Sequence, residues 1–401
     1  MKNKHLSPTI GIQIEIGNQL YTALRGDVVL PLFITCEGAK YSQLQHDLLE
    51  GDSLKVTKNT IKDIYDAFIE VKQTLKFEDD VDLYIVCDSE VNASSVSSFD
   101  EKYPHIIRLQ SALVNLLSRD ELKFVIGHEM GHLINSDTTI RAISKFIYTE
   151  ENQDKMPEYI RLRTNIYEQL SELSADRYGY LACGNLESSV TALYKISSGL
   201  DLMKLGVKVS GLMAENEKRL KVFMEDKGEM FGDHPVLPIR VHALHVYATA
   251  KSEEELSETI FDIMELYCNN SEVEDLFTKF VAVAGLYAAQ IDGTITDEEK
   301  AQIISRIGDR SLCPKEYLQD FEQVEDIKAL FQETVQALKD LPDMDRRMMT
   351  YFVDVALADK EFTEEEMDAV FDFGNQLGFD KETIANYIGS VIRDTCVPKV
   401  L

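Results

Sequence analysis

The stretch from Ser118 to Ile134 leaves the chain little choice of local structure. Ser118-Arg119-Asp120-Glu121 has the form of a capping box. In such a box the Ser118 hydroxyl accepts from the Glu121 backbone N–H, and the Glu121 carboxylate reaches back to the Ser118 N–H. Asp120 and Glu121 also suit the positive end of a helix dipole. Leu122, Val125, Ile126, Leu133 and Ile134 then supply apolar residues at helical spacing. A helix here puts His128 and His132 on one face, because residues four apart lie one above the other. Both imidazoles can reach one metal ion, with Glu129 beside the first. Gly127 and Gly131 lower helix propensity. Their presence predicts a second helix packed so closely that any side chain there would hold it away.

At 401 residues the chain is long enough for two or three domains. Its 44% hydrophobic and 28% charged content is that of a globular protein. The net charge of -29 argues against nucleic-acid partners, which need a basic surface, and against docking on anionic membranes. The longest apolar run, Phe280 to Ala289, is about half of what spans a bilayer, so no integral membrane segment is expected. The opening residues lack the continuous apolar core of a signal peptide. The six cysteines are scattered without a C-x-x-C pair. Reduced thiols in a cytoplasmic protein are the expectation.

Along the chain, Ile10 to Ile16 alternates and reads as a strand, as does Val28 to Thr35, although Pro31 demotes the latter to an edge or a broken strand. Residues 1–55 are therefore expected to form a strand-containing segment. Residues 57–76 read as a helix, Asp82–Cys87 and His105–Leu109 as strands, 158–182 as a long helix and 186–205 as further helix. A polar region follows. His234-Pro235 reads as a turn, with Arg240 opening another helix. The expected class is α+β, mostly α: a domain at 56–250 with a small sheet, then an all-α bundle at 251–401.

The second region differs in charge. From residue 251 onward there are 34 acidic and 14 basic residues, a net of -20 out of -29. It contains a repeat offset by 67 residues: Asp292-Gly293-Thr294-Ile295-Thr296 with Glu299 matches Asp359-Lys360-Glu361-Phe362-Thr363 with Glu366. Each copy predicts a turn that carries Ile295 or Phe362 inward, then a helix capped by Thr296 or Thr363 with its glutamate three residues on. Neither turn has the alternating oxygen ligands of an EF-hand loop. The acidic surface is a candidate site for a protein partner.

His128-Glu129-Met130-Gly131-His132 is the H-E-x-x-H arrangement of zinc peptidases. Catalytic zinc usually takes three protein ligands. Glu168, Glu172 and Asp176 share one face of the helix after the motif, and spacing alone does not choose between Glu168 and Glu172 as the third. Residues from about 57 to 245 resemble the family of zinc endopeptidases that includes the heat-shock protease HtpX and the CAAX prenyl-protein endopeptidase. The similarity is carried by Asp82-Leu83-Tyr84-Ile85-Val86 with Asn92-Ala93, by Glu121-Leu122 leading into the motif, by Glu172-Leu173-Ser174-Ala175-Asp176 with Arg177 and Gly179, and by His234-Pro235 with Arg240. Val236 departs from the family's second proline. The resemblance implies one zinc ion per chain held by His128, His132 and Glu172. It implies Asp176 as partner of a ligand histidine, and His234 and Arg240 near the metal, His234 as an oxyanion donor or an extra ligand. A structural pairing of Arg240 with Asp176 is the plainer expectation for that residue. The turn Asp292-Gly293-Thr294-Ile295-Thr296 more weakly resembles the tellurite-resistance TerB-type helical domain.

The resulting expectation is a soluble zinc endopeptidase acting on unfolded or flexible proteins, with Glu129 as general base and the C-terminal domain as a possible regulator. The strand at His105–Leu109, with Ile106, Ile107 and Arg108, is expected to be a sheet edge that pairs with the substrate backbone. The competing expectation is a catalytically silent zinc-containing scaffold or peptide binder.

Overall fold

The computed structural model describes residues 6–225, 234–268, 272–291, 295–308, 311–358 and 362–395. The first three residues of each repeat turn, Asp292-Gly293-Thr294 and Asp359-Lys360-Glu361, lie outside the described residues. The chain divides into two compact units, 1–264 and 265–401. The division falls inside a helix, Glu253–Cys268, rather than at residue 251.

The first unit opens with helices where strands were expected. They are α1 (Gly11–Ala23), α2 (Gly26–Phe33), a π turn at Ile34–Gly38, and α3 (Ala39–Asp52). In α1 the buried positions are Gln13, Ile16 and Leu20, a helical period, while Ile14 is exposed. The alternation of isoleucines is thus short and local, and Leu20 and Leu24 continue the buried face at intervals of four. Pro31 lies inside α2, where its fixed φ is compatible with helix and its missing N–H costs one bond.

Four strands follow, interspersed with α4 (Lys62–Leu75): β1 (Leu54–Lys55), β2 (Val81–Val86), β3 (Ala93–Val96) and β4 (His105–Gln110). Their order is β1-β2-β4-β3, with β2 and β4 parallel and the outer pairs antiparallel. Leu83, Ile107 and Leu109 face the main helical core. Tyr84, Val96 and Ile106 point the other way, against Leu49 of α3. The expectation that His105–Leu109 is an edge is wrong: β4 has a strand on each side. Ile106 and Ile107 are buried, and Arg108 Nε donates to Ser94 Oγ at 3.0 Å. The outer position on that side belongs to β3.

The remaining helices are α5 (Ser111–Leu116), α6 (Arg119–Ile134), α7 (Asp137–Ile147), α8 (Glu158–Cys183), α9 (Leu186–Ser198), α10 (Val209–Glu225), α11 (Leu237–Thr249) and α12 (Glu253–Cys268). The helix expected at 186–205 stops at Ser198, where Gly199 takes φ +68° and closes it. The polar stretch after it contains α10. The close helix pair is α6 on α8. A Cβ at Gly131 would lie 2.9 Å from Tyr178 Cβ, and one at Gly127 would overlap Ala182 Cβ. Both glycines therefore set how near the two helices approach. The Ser118 backbone N–H donates to Glu121 at 2.7 Å, and the same carboxylate accepts from buried Lys195 Nζ at 2.8 Å.

The second unit contains α13 (Glu272–Ala288), α14 (Asp297–Ile307), α15 (Pro314–Glu322), α16 (Ile327–Leu338), α17 (Met344–Ala356), α18 (Glu364–Gln376) and α19 (Lys381–Thr395). Its core is built on Phe280, Phe331, Phe352 and Phe373, with neighbouring rings 4.8 to 6.2 Å apart. Both repeat caps form: Glu299 N–H donates to Thr296 Oγ1 and Glu366 N–H to Thr363 Oγ1, each at 3.2 Å. Phe362 packs on the core as expected, whereas Ile295 is 42% exposed and does not turn inward.

Candidate metal centre

The α6–α8 contact decides which side chains meet. Because the glycines admit α8 closely, Glu172 faces the two histidines of α6. The Glu172 carboxylate lies 3.5 Å from both His128 Nε2 and His132 Nε2, and the two Nε2 atoms are 3.2 Å apart. One donor atom from each of the three residues falls within 4.8 Å of the others, and His128 and Glu172 are buried. Glu168, the alternative on the same face, instead accepts from Arg141 Nε at 3.1 Å. Glu129 is buried and lines the same cavity, whose volume is about 1010 Å³.

The donor set fits a divalent transition metal. Two imidazole nitrogens and a carboxylate oxygen suit zinc among several ions. Each ring's far nitrogen is already taken by a carboxylate: His128 Nδ1 lies 3.0 Å from Asp176 Oδ1, and His132 Nδ1 lies 2.9 Å from Asp137 Oδ2. That pairing occupies Nδ1 and leaves Nε2 as the atom each ring turns toward the shared space and would offer to a metal, the arrangement that raises ligand basicity. Asp176 is in turn clamped by Arg240, which donates from Nε at 2.8 Å and from Nη2 at 2.7 Å. Arg240 Nη2 also approaches Glu172 at 3.5 Å. The plainer expectation for Arg240, a pairing with Asp176, is what the geometry contains.

Burial works against every charge here and is overcome by neighbours. Burial would raise Asp176, but the Arg240 guanidinium and His128 hold it below the usual carboxylate range. Glu172 is likewise held well below its ordinary value by His132 and His234. Burial would lower His132, yet Asp137 and Glu172 raise it well above that of a free imidazole. His234 Nδ1 lies 3.0 Å from Glu172 Oε1, with the side chain 65% exposed. It stands at the mouth of the group, beside the three converging donors.

Three supporting residues escaped the sequence reading. Asp137, in the first turn of α7, follows His132 by five positions, and its acidity next to the motif was the available signal. Its Oδ1 accepts from Tyr167 OH at 3.0 Å and from Gln13 Nε2 at 2.9 Å. Gln13 belongs to α1, far away in sequence, and its own carbonyl accepts from Ser174 Oγ on α8. The Ile10 N–H donates to the same Ser174 Oγ at 3.0 Å. The start of α1 is thereby bonded to the shell around His132.

Residues 57–248 match the sequence profile of Peptidase family M48, and residues 279–387 that of Tellurite resistance protein TerB. The chain is 36% identical over 86 residues to the Protease HtpX homolog of Helicobacter pylori, a stretch covering 21% of this chain and 27% of that protein. It is 28% identical over 159 residues to the Plastoglobule-localized metallopeptidase 48, chloroplastic, of Arabidopsis thaliana, covering 37% of this chain and 44% of that protein. The chain thus spans less than half the length of these curated relatives. No solved structure matches it. Among the described residues, no helix is long and apolar enough to cross a membrane. The two histidines and the glutamate that faces them lie inside the matched range, and the chain carries a domain of peptidase family M48 at 57–248, followed by a TerB domain at 279–387.

Proposed function

We propose that the chain is a zinc-dependent endopeptidase acting on extended or unfolded polypeptide. The observation that carries this is the convergence of His128, His132 and Glu172 beside Glu129 in one cavity. A zinc ion on these three residues would supply a Lewis acid, able to lower the pKa of water from 15.7 to about 7 and to polarise a peptide carbonyl. Glu129 takes the proton from the attacking water and returns it to the leaving amine. Asp176 and Asp137 keep the two imidazoles in the ligating tautomer, and Arg240 fixes Asp176. His234, exposed at the mouth, donates to the oxyanion, an interaction worth about 3–4 kcal/mol in comparable sites.

The cleavable segment would be held by backbone pairing. With β4 enclosed, that role passes to β3, whose Ser94 and Ser95 line the cavity. Backbone pairing requires an extended chain and reads side chains weakly, which favours unfolded or flexible targets.

The test is Glu129→Gln in the full chain. Bound metal should be retained, and hydrolysis of denatured casein should fall by about 10²–10⁴-fold, the usual weight of a general base. Hydrolysis at the wild-type rate would remove Glu129 from the mechanism.

A further inference from the structure

Residues 26–52, comprising α2, the π turn and α3, form one unbroken helix about 40 Å long that turns an apolar line outward. Its inward line is Gly26, Phe33, Gly38, Ser42, His46 and Leu49, all buried. The π turn takes up the five-residue step from Phe33 to Gly38, so one side stays inward along the whole length. Val28, Leu44 and Leu48 each follow an inward residue by two positions, roughly 200° round the helix, and Leu32 stands one turn beyond Val28. These four side chains are 46–56% exposed. Single exposed leucines are ordinary, but four aligned on one helix mark an interaction surface.

We infer that this face is a self-association surface, on which two copies of the chain pair antiparallel. Two features of the line point to that occupant. The first is its symmetry: Val28 and Leu48 are equally far in sequence from Gly38, and so are Leu32 and Leu44. A two-fold antiparallel pairing uses this symmetry, because it sets residue i on j and j on i. Val28 then meets Leu48 of the other copy, and Leu32 meets Leu44. The second feature is charge. The helix carries Asp27, Glu37, Asp47, Glu50 and Asp52 against one cation, Lys40. A helix that lies on a lipid surface is rich in cations on its polar side, so this composition disfavours a bilayer. Glu37 and Lys40 are exposed on either side of Gly38, and neither has an ion-pair partner among the described residues. In the antiparallel pair each Glu37 stands about 1.5 Å along the axis from the level of Lys40 of the other copy, so two ion pairs form at the centre. Pairing the whole helix covers roughly 800–1,000 Å² in all, the small end of specific interfaces, so the dimer dissociates in the micromolar range.

The test is sedimentation velocity on the full-length chain from roughly 1 to 100 μM, where a monomer–dimer equilibrium should be visible. Leu32→Glu combined with Leu44→Glu should weaken it at least about 100-fold, with circular dichroism unchanged because both residues are exposed. Glu37→Lys alone should weaken it about fivefold, and adding Lys40→Glu should restore it. Cys36, also exposed, lies two residues before Gly38 on the outward side. Its copies would sit roughly 6 Å apart along the axis on helices roughly 8–10 Å apart, so a short bis-maleimide should join two chains. That cross-link should vanish in Cys36→Ser and persist in Cys87→Ser, which removes the other exposed thiol. A monomer at every concentration, or a dimer that the paired glutamates leave intact, would overturn the surface. A monomer that floats with phosphatidylcholine vesicles would assign the face to lipid and overturn it equally. A dimer in which neither the charge exchange nor the Cys36 cross-link behaves as stated would overturn the antiparallel pairing.

Discussion

The two units solve the same local problem and then diverge in what they bury. Helices α6, α14 and α18 all begin with a hydroxyl–glutamate box, using Glu121, Glu299 and Glu366. In the second unit the buried polar side chains, among the described residues, are Thr278, Glu299, Thr334 and Glu366, and the rest of the core is aliphatic and aromatic. In the first unit the interior also holds His128, Glu129, Glu172, Asp176 and Lys195. Buried charge costs several kcal/mol per ion unless it is paired, and apolar replacements are often as stable. A fold that keeps so many of them, most held by carboxylate or guanidinium partners, is shaped by chemistry. The second unit is shaped by packing, and its acidic surplus lies on the surface.

The sharpest way to break this contrast is Lys195→Met. It leaves Glu121 buried without its cation, and the first unit should lose about 3–5 kcal/mol in urea unfolding. A loss under about 1 kcal/mol would mean that the pair is not load-carrying inside the core. Next is the shell around His132. Asp137→Asn should weaken metal binding by about 10–100-fold, measured by competition with a chelating dye, and Gln13→Leu should shift it in the same direction by less.

The pH response should separate the units further. In metal-stripped protein, raised His132 contributes stability that is complete below its unfolded value of 6.5 and is lost as pH rises through the elevated folded value. Depressed Glu172 contributes above 4.5, and that contribution is lost as pH falls through its lowered value. The melting temperature of the first unit should therefore be highest between about pH 4.5 and 6.5 and fall as pH rises from 6.5 through the elevated His132 value, with a flatter profile for the second. Metal affinity should rise with pH, because binding displaces the His132 proton. The smallest effect is Thr363→Ala, which should cost the second unit about 1 kcal/mol by calorimetry.

Much of the site was legible because it is local. The i, i+4 histidines, the capping box and the two glycines all lie within α6, and their reading needs only helix geometry. Glu172 and Asp176 were legible as a face, although spacing left Glu168 equally eligible until Arg141 was seen to hold it. What escaped is long-range. Gln13 meets Asp137 across the α1–α7 contact, and no periodicity announces such a bond. The sheet edge was misread because β3, Ala-Ser-Ser-Val, is four residues with two serines and carries no apolar alternation. Without β3 in view, β4 looked like an edge. The N-terminal helices were missed for a related reason: four alternating isoleucines outweighed the Leu20 and Leu24 positions that continue the helical face.

The most direct test is metal content after equilibration with zinc and dialysis, for wild-type, Glu168→Ala and Glu172→Ala chains. One ion per chain is the expected result for the first two, and its loss for the third. A folded wild-type protein that holds no ion, or a Glu172→Ala chain that holds as much as wild type, would contradict the metal centre on which the functional reading stands.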